Sequence, residues 1–108
     1  APSDAPSNVR LIQGSHGRSL TVTFKKPSRP NGRITIYESS IHNLDSNSIK
    51  TQNNTASSKD AMFSNSDETT ITITGLKPFT NYSIKIRAYT SVGSGPWSEY
   101  VKQRTHEA

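Results

Sequence analysis

Between Thr69 and Ser98 the sequence reads TTITITGLKPFTNYSIKIRAYTSVGSGPWS, two alternating runs hinged on Gly75-Leu76-Lys77-Pro78, and this arrangement leaves few folds open. Before the hinge Ile71 and Ile73 alternate with Thr70, Thr72 and Thr74. After it Tyr82, Ile84, Ile86 and Ala88 alternate with Ser83, Lys85, Arg87 and Tyr89. A period of two is the signature of strands with one dry and one wet face. Gly75 opens backbone angles that a Cβ forbids, and Pro78 fixes φ and donates no hydrogen bond, so the pair reverses the chain rather than extending the strand.

Tyr82 follows that reversal. A phenol there can bury its ring in the core while its hydroxyl bonds a backbone group upstream, the tyrosine corner of immunoglobulin-like sandwiches. The Leu76, Pro78, Thr80, Tyr82 spacing fits such a corner. The blander alternative is that Tyr82 is an ordinary half-buried strand residue.

The rest of the chain extends the pattern. Asn8–Gln13 is a first strand turning Val9 and Leu11 inward, and Ser19–Lys25 a second with Leu20, Val22 and Phe24 on one face. A proline-stiffened loop closes at Asn31-Gly32, a pair suited to tight turns. A third strand is expected from Arg33 to about Ile41, carrying Ile34, Ile36 and Tyr37. A short edge strand is expected at Ser48–Thr51, a peg of Met62 and Phe63 against the sandwich rim, and a last strand at Ser98–Thr105. The sum is seven strands, no helix, and an all-β antiparallel sandwich of immunoglobulin-like type. Residues 1–7 read as an N-terminal linker, 8–105 as the domain and 106–108 as a C-terminal linker.

At 108 residues the chain suits one domain able to bury a core without staples. Its 30% hydrophobic content is low, but the apolar residues are concentrated in the alternating runs. With no cysteine, thiolate metal sites, iron–sulfur clusters and cysteine nucleophiles are excluded. No apolar run approaches the roughly 20 residues of a membrane helix, so no span is expected in this segment. His16, His42 and His106 fall in a turn, a loop and a tail with no partner by spacing. Gly93-Ser94-Gly95 precedes a proline and a strand, not a helix. An enzyme, a metal site and a cofactor are therefore not expected.

Across nearly its whole length the chain resembles a fibronectin type III domain. The resemblance is carried by Pro6 with Val9, Leu20-x-Val22-x-Phe24-x-x-Pro27, Pro30-Asn31-Gly32-x-Ile34-x-x-Tyr37, Leu76-x-Pro78-x-Thr80-x-Tyr82-x-Ile84-x-Ile86-x-Ala88, and Gly93-x-Gly95-Pro96-x-Ser98. Phe24 stands where that family usually has tryptophan, and Ser39 where an aliphatic residue usually continues the strand, which points to a local shift or a thinner core there. The Thr51–Glu68 segment is longer than the family leads one to expect. The resemblance implies two sheets, with strands A, B and E facing C, C′, F and G. It also implies a non-catalytic module of a larger extracellular or cell-surface protein, monomeric when isolated, serving as spacer and protein-interaction unit in adhesion or receptor signalling. Modules of receptor tyrosine phosphatases and neural adhesion receptors share its Pro-Asn-Gly and Gly-x-Gly-Pro-Trp-Ser segments. The expected partners are a protein ligand or neighbouring domains of the same chain, and no nucleic acid.

Three surface features bear on function. Asn53-Asn54-Thr55 and Asn81-Tyr82-Ser83 satisfy the N-glycosylation acceptor rule, with Asn53 expected in the long loop and Asn81 at the corner. If Tyr82, Ile84 and Ile86 point inward, Lys85 and Arg87 point outward, flanked by Lys102 and Arg104 on the last strand and extended by Arg33 on the third. Such a row suits a sulfated glycosaminoglycan such as heparin, and the net charge of +5 agrees with that. Outward cations also serve solubility alone, and Glu38 and Glu99 dilute the field. Trp97 is either an anchor for a partner or a lid over the end of the sandwich.

Overall fold

The computed structural model describes residues 3–13, 18–27, 29, 31–55 and 68–106. These form two antiparallel sheets. Ser7–Gln13 (β1), Leu20–Lys25 (β2) and Glu68–Ile73 (β5) make one in the order β1-β2-β5. Ile36–Asn43 (β3), Ser48–Thr55 (β4), Asn81–Thr90 (β6), Gly93–Ser94 (β7) and Val101–Arg104 (β8) make the other, in which β3 and β6 are central, β4 is one edge, and β7 and β8 both pair with β6. No helix occurs among the described residues. Seven strands were expected and eight occur among the described residues, the additional one being the two-residue β7 in what was read as a loop.

The core forms where the alternation places it. Leu20, Val22 and Phe24 of β2 and Ile71 and Ile73 of β5 face Tyr37 and Ile41 of β3 and Tyr82, Ile84, Ile86 and Ala88 of β6, all buried. Val9 and Leu11 of β1 pack against this cluster from one side. Phe24 and Tyr37 meet edge to face, their centroids 4.9 Å apart, an arrangement that aligns the positive ring edge with a negative ring face. Ser39 is fully buried between Tyr37 and Ile41 in the alternation of β3, so the core is thinner there. Its hydroxyl has no hydrogen-bond partner among the described residues.

The corner is tied as follows. Gly75 has φ of 73°, Leu76 is buried, and the Lys77 N–H donates to Tyr82 Oη at 2.9 Å. Thr105 anchors the end of β8 beneath it. Its hydroxyl accepts from the Thr80 N–H at 2.9 Å and donates to the Lys77 carbonyl at 2.6 Å.

Four strand limits differ from expectation for local reasons. β3 begins at Ile36, not Arg33. Ile34 and Tyr37 are both buried, which a strict alternation cannot deliver, and Arg33 to Thr35 form an irregular step joined to β6 by the Thr35 N–H on the Tyr89 carbonyl. β4 runs on to Thr55 because all eight of its residues pair with β3, and Gln52 reaches across the open flank to donate to the Thr72 carbonyl of β5 at 3.2 Å. β8 begins at Val101, not Ser98. Ser98 is buried and its Oγ accepts the Ile86 N–H at 2.9 Å, so a side chain occupies the place of a ladder carbonyl. Gly93–Ser94, read as part of a loop, is a two-residue strand on Tyr89 and Thr90. The Met62–Phe63 peg lies outside the described residues.

Candidate functional site

Register fixes which side chains share the outer face of the five-stranded sheet. On β6, Lys85 lies opposite Ser40 and Arg87 opposite Glu38. On β8, Lys102 lies opposite Ser83 and Arg104 opposite Asn81. Odd-numbered residues of β6 and even-numbered residues of β8 therefore point away from the core, and Lys85, Arg87, Lys102 and Arg104 are on one face. Arg33 is exposed in the irregular step before β3 and belongs to no strand of that row.

The four cations have different surroundings. Arg87 is held in place. Its Nε lies 2.6 Å from Glu38 Oε1, its guanidinium sits 4.2 Å from the Trp97 ring centroid, and it donates to Tyr89 Oη at 2.8 Å. Tyr89 Oη in turn donates to Glu38 Oε1 at 3.1 Å. Lys85 Nζ is shared by two rings, 4.7 Å from Trp97 and 4.9 Å from Tyr100. Arg104 lies 5.9 Å from the ring of Phe79, which is itself exposed and held at φ of 52°. Lys102 is exposed on β8.

A ladder of Tyr100, Lys85, Trp97, Arg87 and Tyr89 thus runs along β6, alternating ring and cation. Each contact contributes about 0.5–1 kcal/mol where exposed and about 2 where desolvated. The ladder pins the segment between β7 and β8 onto the sheet. Trp97 therefore lies half-buried on the sheet face, not over the end of the sandwich. Sequence reasoning missed the ladder, although the parity that put Lys85 and Arg87 outward, together with the aromatic residues of 97–100, was the available signal.

The sequon asparagines sit in different places. Asn53 is exposed on the outer face of β4, directly opposite Glu38, so it lies on a strand and not in the long loop. Asn81 opens β6 at the corner, where its backbone N–H and side-chain amide donate to the Asp45 carboxylate at 3.1 and 3.4 Å.

Nothing in the described histidines resembles an acid–base pair. His42 Nε2 bonds Asn47 Oδ1 at 2.8 Å, His106 is exposed at the tail, and His16 is outside the described residues. Among the described residues no three His, Cys, Asp or Glu side chains are grouped to hold a metal ion, and no helix is long and apolar enough to cross a membrane. A cavity of about 230 Å³ beside the corner is lined by residues that include Ile41, Ser48, Ile49, Lys50 and Tyr82, and the Ser48 hydroxyl in it bonds the Ser46 hydroxyl at 2.8 Å.

Comparison with known proteins agrees with this architecture. The family model described as the fibronectin type III domain matches residues 4–104. Receptor-type tyrosine-protein phosphatase F of Bos taurus is 37% identical over 106 residues, covering 96% of this chain and 5% of that protein. Ephrin type-B receptor 3 of Xenopus laevis is 35% identical over 97 residues, covering 88% of this chain and 9% of that protein. The crystal structure of the FN5 domain of Drosophila Lar superposes with a TM-score of 0.68 at 26% identity, covering 100% of both chains. The chain spans about 3–5% of the length of the phosphatases it matches, so the likeness is to one small part of each.

Proposed function

The chain belongs to the fibronectin type III family, and on that premise we propose that it is a non-catalytic module of a longer extracellular or cell-surface protein, spacing neighbouring domains and binding protein partners in adhesion or receptor signalling. The observation that carries this reading is the match over residues 4–104 combined with coverage of only 5–9% of receptor-type relatives. A fold hosts many activities, so function is argued from its surfaces. Here the outer face of the five-stranded sheet presents Trp, Tyr and Arg, the residue types that dominate protein interfaces. An epitope tag placed in this chain within its full-length parent is expected to be reached by antibody on intact cells. Staining only after permeabilisation would overturn the extracellular reading. Hydrolysis of an aryl phosphate by the isolated chain would overturn the non-catalytic one.

A second reading is favoured by the shared face of Lys85, Arg87, Lys102 and Arg104. It makes that face a site for a sulfated glycosaminoglycan. Glu38 offsets part of the Arg87 charge, and Lys85, Lys102 and Arg104 stand on the same face beside it. Heparin chromatography tests it. Lys102→Ala with Arg104→Ala should lower the eluting salt by more than removal of Lys25 and Lys26 does. Equal losses would mean that only net charge is being read.

A further inference from the structure

Asn53, Glu38 and Arg87 occupy one row across three adjacent strands, because Glu38 pairs with Asn53 on one side and with Arg87 on the other. Neighbouring strands are about 4.8 Å apart, so the Asn53 backbone is about 10 Å from that of Arg87, within reach of the first two sugars of an N-glycan. The Asn53 side chain is exposed on the outer face. Asn54 turns the other way and accepts from Gln52 Nε2 at 2.8 Å. On its other side β4 is the edge of the sheet and pairs with no further strand among the described residues. On the β6 side lie a carboxylate, a guanidinium and the rings of Tyr89 and Trp97, which offer sugar hydroxyls hydrogen bonds and sugar C–H faces aromatic contact.

We propose that Asn53 carries an N-linked glycan which lies across Glu38 onto the Arg87–Trp97 contact and closes the outer face of the five-stranded sheet to a sulfated polysaccharide. The proposal rests on the extracellular and polyanion readings above. It makes glycan occupancy the control on that face, with the glycan-free chain the binding form. Asn81 plays no part in this, since it opens β6 beside Asp45 and pairs with Arg104, four residues along the strand from Lys85 and its contacts with Trp97 and Tyr100.

Trp97 is the one tryptophan of the chain, so its fluorescence reports on this face directly. The 108-residue chain, secreted from mammalian cells behind an added signal peptide, is compared before and after peptide N-glycosidase treatment by peptide mass mapping and by iodide quenching. The expected result is a glycan mass on the Asn53 peptide and a rise in the Trp97 quenching constant when it is removed. Thr55→Ala, which destroys the sequon and keeps Asn53, should behave as the deglycosylated chain, and Thr55→Ser, which keeps the sequon, as wild type. An unmodified Asn53 in the secreted chain overturns the proposal. So does a glycan on Asn53 whose removal leaves quenching unchanged. The added signal peptide makes these outcomes independent of where the parent protein resides. Heparin elution of the deglycosylated chain judges the polyanion reading separately.

Discussion

Tyr82 illustrates how much one polar atom can do at a sheet crossing. Its ring belongs to the core, and its hydroxyl accepts the Lys77 N–H in a corner where Gly75 and Pro78 leave the backbone few other partners. Tyr82→Phe keeps the ring and removes the acceptor, and should lower stability by about 1–3 kcal/mol, measured as a shift in the urea midpoint at constant slope. Thr105 is the complementary case. It is 1% exposed, and its hydroxyl both accepts from Thr80 and donates to Lys77. Thr105→Val matches its shape while orphaning both partners, and a loss of about 1–3 kcal/mol is expected by the same measurement. The Arg10–Glu68 pair, by contrast, is largely exposed, and Arg10→Ala should move the midpoint little.

At the level of elements, β2 and β6 fill the centre of the sandwich, and their inward side chains have no room to relax. Ile84 is fully buried, so Ile84→Ala should cost about 2–5 kcal/mol through the cavity it leaves. The ladder on the opposite face of β6 predicts a separate effect. Arg87→Ala removes the cation beside the indole and should shift Trp97 emission to longer wavelength with the fold retained. An unchanged spectrum would mean that Trp97 does not pack on β6. The strands richest in alternating apolar residues, β2, β5 and β6, were legible in the sequence because burial on one face imposes a period of two. β4 was legible only in its first half, since SIKTQNNT buries no apolar side chain and owes its length to pairing with β3 and to the Gln52 contact with β5. The start of β8 was hidden because Ser98 replaces a ladder bond with its side chain, an event without a periodic signal. The outward parity of Lys85 and Arg87 could be read along β6, whereas their partners are distant in sequence or irregular in structure: Glu38 is brought alongside by the register of β3, and Trp97 and Tyr100 by the non-strand segment between β7 and β8.

For the molecule as a whole, the two sheets are joined by a single core, by the corner at one end and by Gln52 along one flank. A domain of this size with one core should unfold cooperatively, so ties at the corner and at the centre should open together. That rigidity makes the outer faces fixed surfaces, which a spacing and binding module requires. The most direct test is native-state hydrogen exchange at the Lys77 amide, compared with that of Ile84 at the centre of β6. The expected result is that both exchange through global unfolding with the same free energy, and that Tyr82→Phe releases Lys77 selectively. Exchange of Lys77 at the rate of an unstructured loop, with Ile84 still protected, would show that the corner does not join the sheets and would contradict the structure on which the proposed role depends.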